Sequence, residues 1–301
     1  MRLPDLLSGK MSKSFSTFDL TNLEKPPMND EFLSHLEDQL LGMTARPSLR
    51  QRLLTSRVPV SSIPKIVRRI GIRGLIESLR SSVVDTRLLY EEGRTIPPCG
   101  TTMIGRKRLR NIRYCIEQIL RNDITGDFIE TGVWRGGAAI YMRAVLKAHS
   151  VDDRTVWVAD SFQGLPSPDP KYPADENDLL HLRSSLVVSQ SEVESHFRSY
   201  GLLDSHVRFL PGWFEDSLKT FPRIALALLR IDCDLYSSTH TVLTHLHDLV
   251  ADGGYVIVDD YGAIPACRLA VDNFRRLRNI SDPIIEIDHT GIYWKRSRKS
   301  T

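Results

Sequence analysis

The sequence has only four cysteines in 301 residues, and none of them (Cys99, Cys115, Cys233, Cys267) stands in a C-x-x-C pair. That rarity excludes a disulfide scaffold and argues against a zinc module, so reduced thiols in a cytoplasmic protein are expected. Long apolar runs are missing too. The longest clean one, Ile224 to Leu229, is far short of the ~20 residues a bilayer span needs. The opening MRLPDLLSGKMSKS has no apolar segment of the kind a secretory signal carries. No membrane partner is therefore expected. Neither sign of charge dominates, with 40 Lys and Arg against 37 Asp and Glu. What is present, 41% hydrophobic and 26% charged residues with 18 Gly and 16 Pro, excludes collagen-like and wholly disordered chains and supplies a sizeable core.

The basic residues are unevenly placed. Between Ala45 and Arg80 stand nine Lys and Arg against the single acid Glu77, with no aromatic residue among them. Without a stacking platform such a stretch is a poor match for nucleic acid, and a solvated helical face is expected instead. Residues 1–92 are therefore expected to form a basic, partly helical N-terminal extension. Ile66, Ile70, Leu75 and Leu79 suggest a helix over Ile63–Leu79 broken by Gly71 and Gly74. The extension is a place where copies of the chain could meet, which leaves a homo-oligomer open.

The Pro/Gly loop GRTIPPCGTT (93–102) opens a second unit, 93–301, that reads differently. Residues 106–121 form an amphipathic helix on Leu109, Ile112, Ile116 and Leu120. Strands are then predicted at 127–131, 155–160, 206–212, 224–232 and 255–260. Helices fall at 138–149, 237–250 and 265–278, the middle one stopped by Asp252-Gly253-Gly254. Two β-rich runs over 284–296 join at His289-Thr290-Gly291 as a hairpin. This alternation predicts an α/β fold, a doubly wound, mostly parallel sheet with an antiparallel edge.

In such a sheet ligands bind beyond the carboxyl ends of the strands, so the residues ending each strand are the informative ones. They are Glu130-Thr131-Gly132, Asp160, Pro211-Gly212-Trp213, Asp232-Cys233-Asp234 and Asp259-Asp260. The first turn, ETGVWRGGA, is glycine-rich but is not G-x-G-x-x-G, and Glu130 beside it would repel a dinucleotide's phosphates and suit a cation. Asp160, closing the second strand, stands where ribose hydroxyls are held. Together these favour an adenosine-type, cationic ligand, S-adenosylmethionine over NAD. Asp232, Asp259 and Asp260 end neighbouring strands with no Lys or Arg beside them at those ends, and such a group needs a cation. An all-oxygen set points to Mg²⁺, with Mn²⁺ and Ca²⁺ as alternatives. His240, His245 and His247 share no helix face and read as surface or helix-end residues. Ser161, Ser237 and Ser238 lack a base partner for nucleophilic work.

The motifs TMIGRKRLRNI (102–112), GDFIETGVWRGGAAIYMRAVL (126–146), VWVADSFQGLPSPD (156–169), VRFLPGWFEDSL (207–218), LRIDCDLYSST (229–239) and GGYVIVDDYGA (253–263) closely resemble the macrocin O-methyltransferase family. That resemblance implies a class I methyltransferase fold with a Rossmann-like, seven-stranded sheet. It also implies S-adenosylmethionine as methyl donor, a Mg²⁺ requirement, and a sugar hydroxyl of a glycosylated antibiotic as acceptor. On this resemblance Glu130 and Gly132 cradle the methionine part of the donor and Asp160 holds the ribose. Ser161 and Trp213, which follows Gly212, lie near the adenine, and Met103 closes over the donor. Asp232, Asp259 and Asp260 bind the metal, with Asp232 the expected base and Asp234 the second candidate. The chain departs from the family pattern at Cys233, where a glycine is usual, and at Ser237, where an acid is usual.

The polar passage Gly164–Ser195, after a ligand-binding strand end, is the expected lid over the acceptor. Two other classes compete: a nicotinamide-dependent oxidoreductase and a non-catalytic methyltransferase-like subunit that binds a partner. The missing G-x-G-x-x-G argues against the first, and the intact aspartates against the second.

Overall fold

The structure, a computed structural model, describes residues 16–17, 30–44, 90–94, 97 and 99–297. The basic stretch 45–80 and the helix expected over Ile63–Leu79 fall outside the described residues. In chain order the elements begin with β1 (Ser16–Thr17), α1 (Asp30–Leu40) and α2 (Arg106–Arg121). The alternation follows: β2 (Asp127–Thr131), α3 (Gly137–Ala148), β3 (Val156–Asp160), α4 (Gln190–Ser199), β4 (Val207–Pro211) and the short α5 (Phe214–Ser217). Then come β5 (Leu226–Ile231), α6 (Tyr236–Leu246), β6 (Val250–Val258), α7 (Pro265–Leu277), β7 (Ile285–Glu286) and β8 (Ile292–Lys295).

The strands form one sheet in the order β1-β7-β8-β6-β5-β2-β3-β4. Seven of them, β2 to β8, make the mostly parallel sheet with a C-terminal antiparallel pair that the sequence predicts. The two-residue β1 adds beside β7. β5 is buried at every position because it lies in mid-sheet with both faces covered. Side chains alternate accordingly: Phe128, Val158 and Leu228 enter one core layer, and Ile129, Ala159 and Leu229 the other. Leu109, Ile112 and Ile116 of α2 are fully buried as expected, and Ile119 rather than Leu120 completes the stripe.

Two local expectations need correction. α6 ends at Leu246 and tightens into a 3-10 turn, His247–Leu249, before β6 begins at Val250. Asp252-Gly253-Gly254 therefore sits within β6 as an irregularity, where the register jumps from Leu226↔Val250 to Leu228↔Tyr255. The tight turn also rolls His247 inward to 3% exposure, against Phe274 and Trp294, so it is a core residue and not a surface one. α1 packs into this core as well: Leu33, Leu36 and Leu40 join the same hydrophobic cluster as α2 and α3.

Candidate active site

The chain runs β2, β3, β4 outward in one direction and β5, β6 in the other, so strand order reverses between β2 and β5. A crevice opens at the carboxyl ends of strands at such a point. Gly132 and Asp232 meet there: the Asp232 N–H donates to the Thr131 carbonyl at 2.9 Å, and Gly132 has φ +80°. A side chain at 132 would run into the Asp232 carbonyl, which explains the glycine. The crevice widens into a cavity of about 440 Å³, and Met103, Gly132, Asp160, Ser161, Trp213 and Asp232 are all on its wall.

Asp160 is held in place by backbone. Its carboxylate accepts from the Val133 N–H and the Phe162 N–H, each at 2.7 Å. Burial nonetheless raises its pKa above the usual carboxylate range. The Asp160 carbonyl accepts from the Gly212 N–H at 2.9 Å, which sets the turn carrying Trp213 to the cavity. Glu130 is placed differently from its expected role. It is 1% exposed, does not line the cavity, and accepts from Arg230 Nη1 at 2.5 Å.

The aspartates do converge. Asp232, Asp259 and Asp260 each offer an oxygen within 4.8 Å of the others'. The expectation that no Lys or Arg accompanies them is overturned, because two buried arginines enter the cluster. Arg230, fully buried on β5, reaches Asp232 Oδ2 at 2.8 Å and Asp259 Oδ1 at 2.5 Å in addition to Glu130. Arg108, from α2, pairs with Asp259 Oδ2 and stands 3.1 Å from Asp288 Oδ2. A signal for Arg230 was present in the sequence: on a strand, residues two apart share a face, so Arg230 lies under Asp232. Arg108 and Asp288 come from remote segments and left no such signal.

Two guanidinium groups do not neutralise this many acids. Asp260 is pushed well above the usual range by burial and then by Asp234, Asp232 and Asp259. Asp232 is raised by burial and by Asp259. Asp234, on the cavity wall with φ +57°, is pushed up to about 7 by burial and then by Asp232 and Asp259. The cavity side of the cluster thus gathers more carboxyl groups than the two guanidinium groups can pair. Cys233, between the two acids, also lines the cavity, and its Sγ faces the Thr131 carbonyl at 3.3 Å.

The passage after β3 forms another wall, with Gly164, Leu165 and Leu186 at the cavity. Two contacts pin it. Trp134 Nε1 donates to the Ser185 carbonyl at 2.9 Å. Asp175, 1% exposed, accepts from the Tyr236 and Ser237 N–H groups at 2.7 and 2.9 Å, capping α6 from a distance.

Comparison with known proteins agrees with this geometry. The chain matches the family model described as macrocin-O-methyltransferase (TylF) over residues 56–296. It is 56% identical over 209 residues to demethyldecarbamoylnovobiocin O-methyltransferase of Streptomyces niveus, spanning 69% of this chain and 80% of that protein. It is 51% identical over 211 residues to mycinamicin III 3''-O-methyltransferase of Micromonospora griseorubida, spanning 69% and 83%. Among solved structures, the O-methyltransferase NovP matches with a TM-score of 0.74 at 45% identity, over 89% of this chain and 99% of that one. The calicheamicin methyltransferase CalS11 shares the fold, with a TM-score of 0.53 at 16% identity over 94% and 99%.

Proposed function

The chain belongs to the macrocin-O-methyltransferase (TylF) family and is an S-adenosylmethionine-dependent O-methyltransferase; from that premise we propose that it methylates a sugar hydroxyl of a glycosylated natural product, a tailoring step of antibiotic biosynthesis in the cytoplasm, with the help of Mg²⁺. The observation that carries the reading is the convergence of Asp232, Asp259 and Asp260 beside a cavity of about 440 Å³. The relatives named for O-methylation of demethyldecarbamoylnovobiocin and of mycinamicin III support the acceptor class.

The residues fit both the donor and the cation. The cavity is within the size range of a small-molecule site, and Asp160 and Trp213 give it a polar anchor and an aromatic face. The three aspartates are an all-oxygen donor set, and the burial and mutual repulsion that raise Asp232, Asp234 and Asp260 are what a bound cation would relieve. Both Asp259 oxygens already hold an arginine, but each oxygen has a second lone pair to offer.

Bound donor supplies a methyl group on sulfur, and a bound divalent cation supplies the Lewis acidity that makes a sugar hydroxyl easier to deprotonate. Asp160 and Gly132 orient the donor, with Ser161, Trp213 and Met103 closing around it. Asp232, Asp259 and Asp260 hold the cation, and Arg230 and Arg108 hold the carboxylates. The proton goes to Asp234. Asp232, the base expected from sequence, is committed to Arg230 and to the ligand set, whereas Asp234 faces the cavity and makes no ion pair in the described structure. The insertion wall around Leu165 and Leu186 excludes water from the acceptor.

The test is a screen of glycosylated metabolites with donor and Mg²⁺, read by mass spectrometry. Gain of one methyl on the sugar fragment, abolished by EDTA, is expected. Methylation of the aglycone, or full activity in EDTA, would overturn the acceptor or the metal part respectively.

A further inference from the structure

The N-terminal helix α1 reaches the donor cavity through a short relay of buried groups. Its Glu37, 2% exposed, accepts from Arg106 Nη1 at 2.9 Å and from the Tyr141 hydroxyl at 2.7 Å. Arg106 continues to Asp38 and, at 3.0 Å, to Glu91 Oε1. This fixes α1 against both α2 and α3. The next contact is with backbone: the Leu40 carbonyl, at the end of α1, accepts from the Thr101 N–H at 2.8 Å and the Thr102 N–H at 3.3 Å. The Thr101 carbonyl in turn accepts from the Gly137 N–H at 3.0 Å, at the start of the helix after the donor turn. Arg135 Nη1 donates to the Gly100 carbonyl at 2.8 Å. Met103, directly after this pinned segment, is on the cavity wall.

We propose that α1 is a supporting wall of the donor site and that Glu37 is its positioning residue, holding residues 100–103 so that Met103 meets the donor. This rests on the donor reading above. The helix touches no ligand itself; it acts through the segment it clamps. Gly100 shows how tight the clamp is, since an added Cβ there would lie 2.7 Å from the Leu40 carbonyl.

Linkage makes the idea testable without a variant. If docking of α1 favours donor binding, donor binding must favour docking of α1 by the same factor. Hydrogen–deuterium exchange of the full chain, with and without S-adenosylhomocysteine, should show slower exchange over 33–41 as well as 100–103. Protection of the donor turn with none in α1 would overturn the inference and leave the donor reading intact. Absence of any S-adenosylhomocysteine binding would overturn both. In Glu37→Gln and Gly100→Ala, calorimetry should show Kd for S-adenosylhomocysteine raised about tenfold. Turnover should recover as donor is raised. A wild-type Kd in both, or a loss of turnover that saturating donor does not restore, would count against the positioning role.

Discussion

Arg230 donates from Nη1 to Glu130 Oε1 at 2.5 Å, across the β2–β5 pair at the register position where the two residues face each other. The same guanidinium serves Asp232 and Asp259, so one buried cation bridges three acids at the switch point. Even so, burial pushes Glu130 up to about 8, with Arg230 opposing and Asp232 and Asp259 adding to the shift. Arg230→Met should therefore lower stability by about 3–5 kcal/mol, the usual consequence of breaking a buried pair. Arg230→Lys should lie between, because an ammonium cannot fork to separate carboxylates. Urea denaturation of the three proteins checks the order; equal midpoints would remove Arg230 from its bridging role.

Base and ligand roles among the aspartates separate by experiment. Asp234→Asn should cut turnover by about 10²–10⁴ while retaining Mn²⁺ affinity. Asp232→Asn and Asp259→Ala should lose both turnover and Mn²⁺ binding. S-adenosylhomocysteine binding should survive in all three, because the donor's anchors lie at Asp160 and Gly132. Mn²⁺ titration followed by electron paramagnetic resonance reads the difference. Loss of Mn²⁺ by Asp234→Asn would move Asp234 into the ligand set.

His247 sets an acid-side stability limit remote from the site. It is packed against Phe274 and Trp294, and its Nδ1 stands 3.7 Å from the nearest Asp248 oxygen. Burial, then nearby Arg296, lowers its pKa from 6.5 to about 4. The folded state thus prefers the neutral ring, while the unfolded chain takes up a proton below about pH 6.5. Stability from this residue is full above that pH and drains as pH falls toward 4, by on the order of 3 kcal/mol. His247→Gln should flatten that part of the pH–stability curve relative to the wild type. Identical curves for the two proteins would show that the ring is not responsible.

The alternation of apolar strands and amphipathic helices made the sheet legible, because a strand covered on both faces is apolar along most of its length, as Leu226–Leu229 of β5 is. Strand ends were legible for a similar reason: carboxylates such as Asp160 and Asp232 stand out against those apolar runs. The counter-cations were less so. Arg230 was hidden inside a strand read for its apolar content, and Arg108 approaches Asp259 from 151 residues away in sequence. The place of α1 in the core was equally obscure, since Leu33, Leu36 and Leu40 form a stripe that says nothing of its partner.

The last prediction concerns the insertion after β3. The N-terminus of α6 has no side-chain cap of its own at Leu235, and the cap arrives instead from Asp175. That one carboxylate therefore ties the insertion to the helix following Asp232-Cys233-Asp234. Asp175→Ala should cost about 1–3 kcal/mol, the consequence of leaving the two α6 N–H groups without their charged acceptor. It should also free the insertion, so that trypsin cleaves faster at Lys171 and Arg183 than in the wild type. Because Leu165 and Leu186 line the cavity from this segment, the KM for acceptor should rise more than the Kd for S-adenosylhomocysteine. Unchanged cleavage with a lowered melting temperature would mean that Asp175 serves α6 alone and that Trp134 holding Ser185 is enough to keep the wall in place.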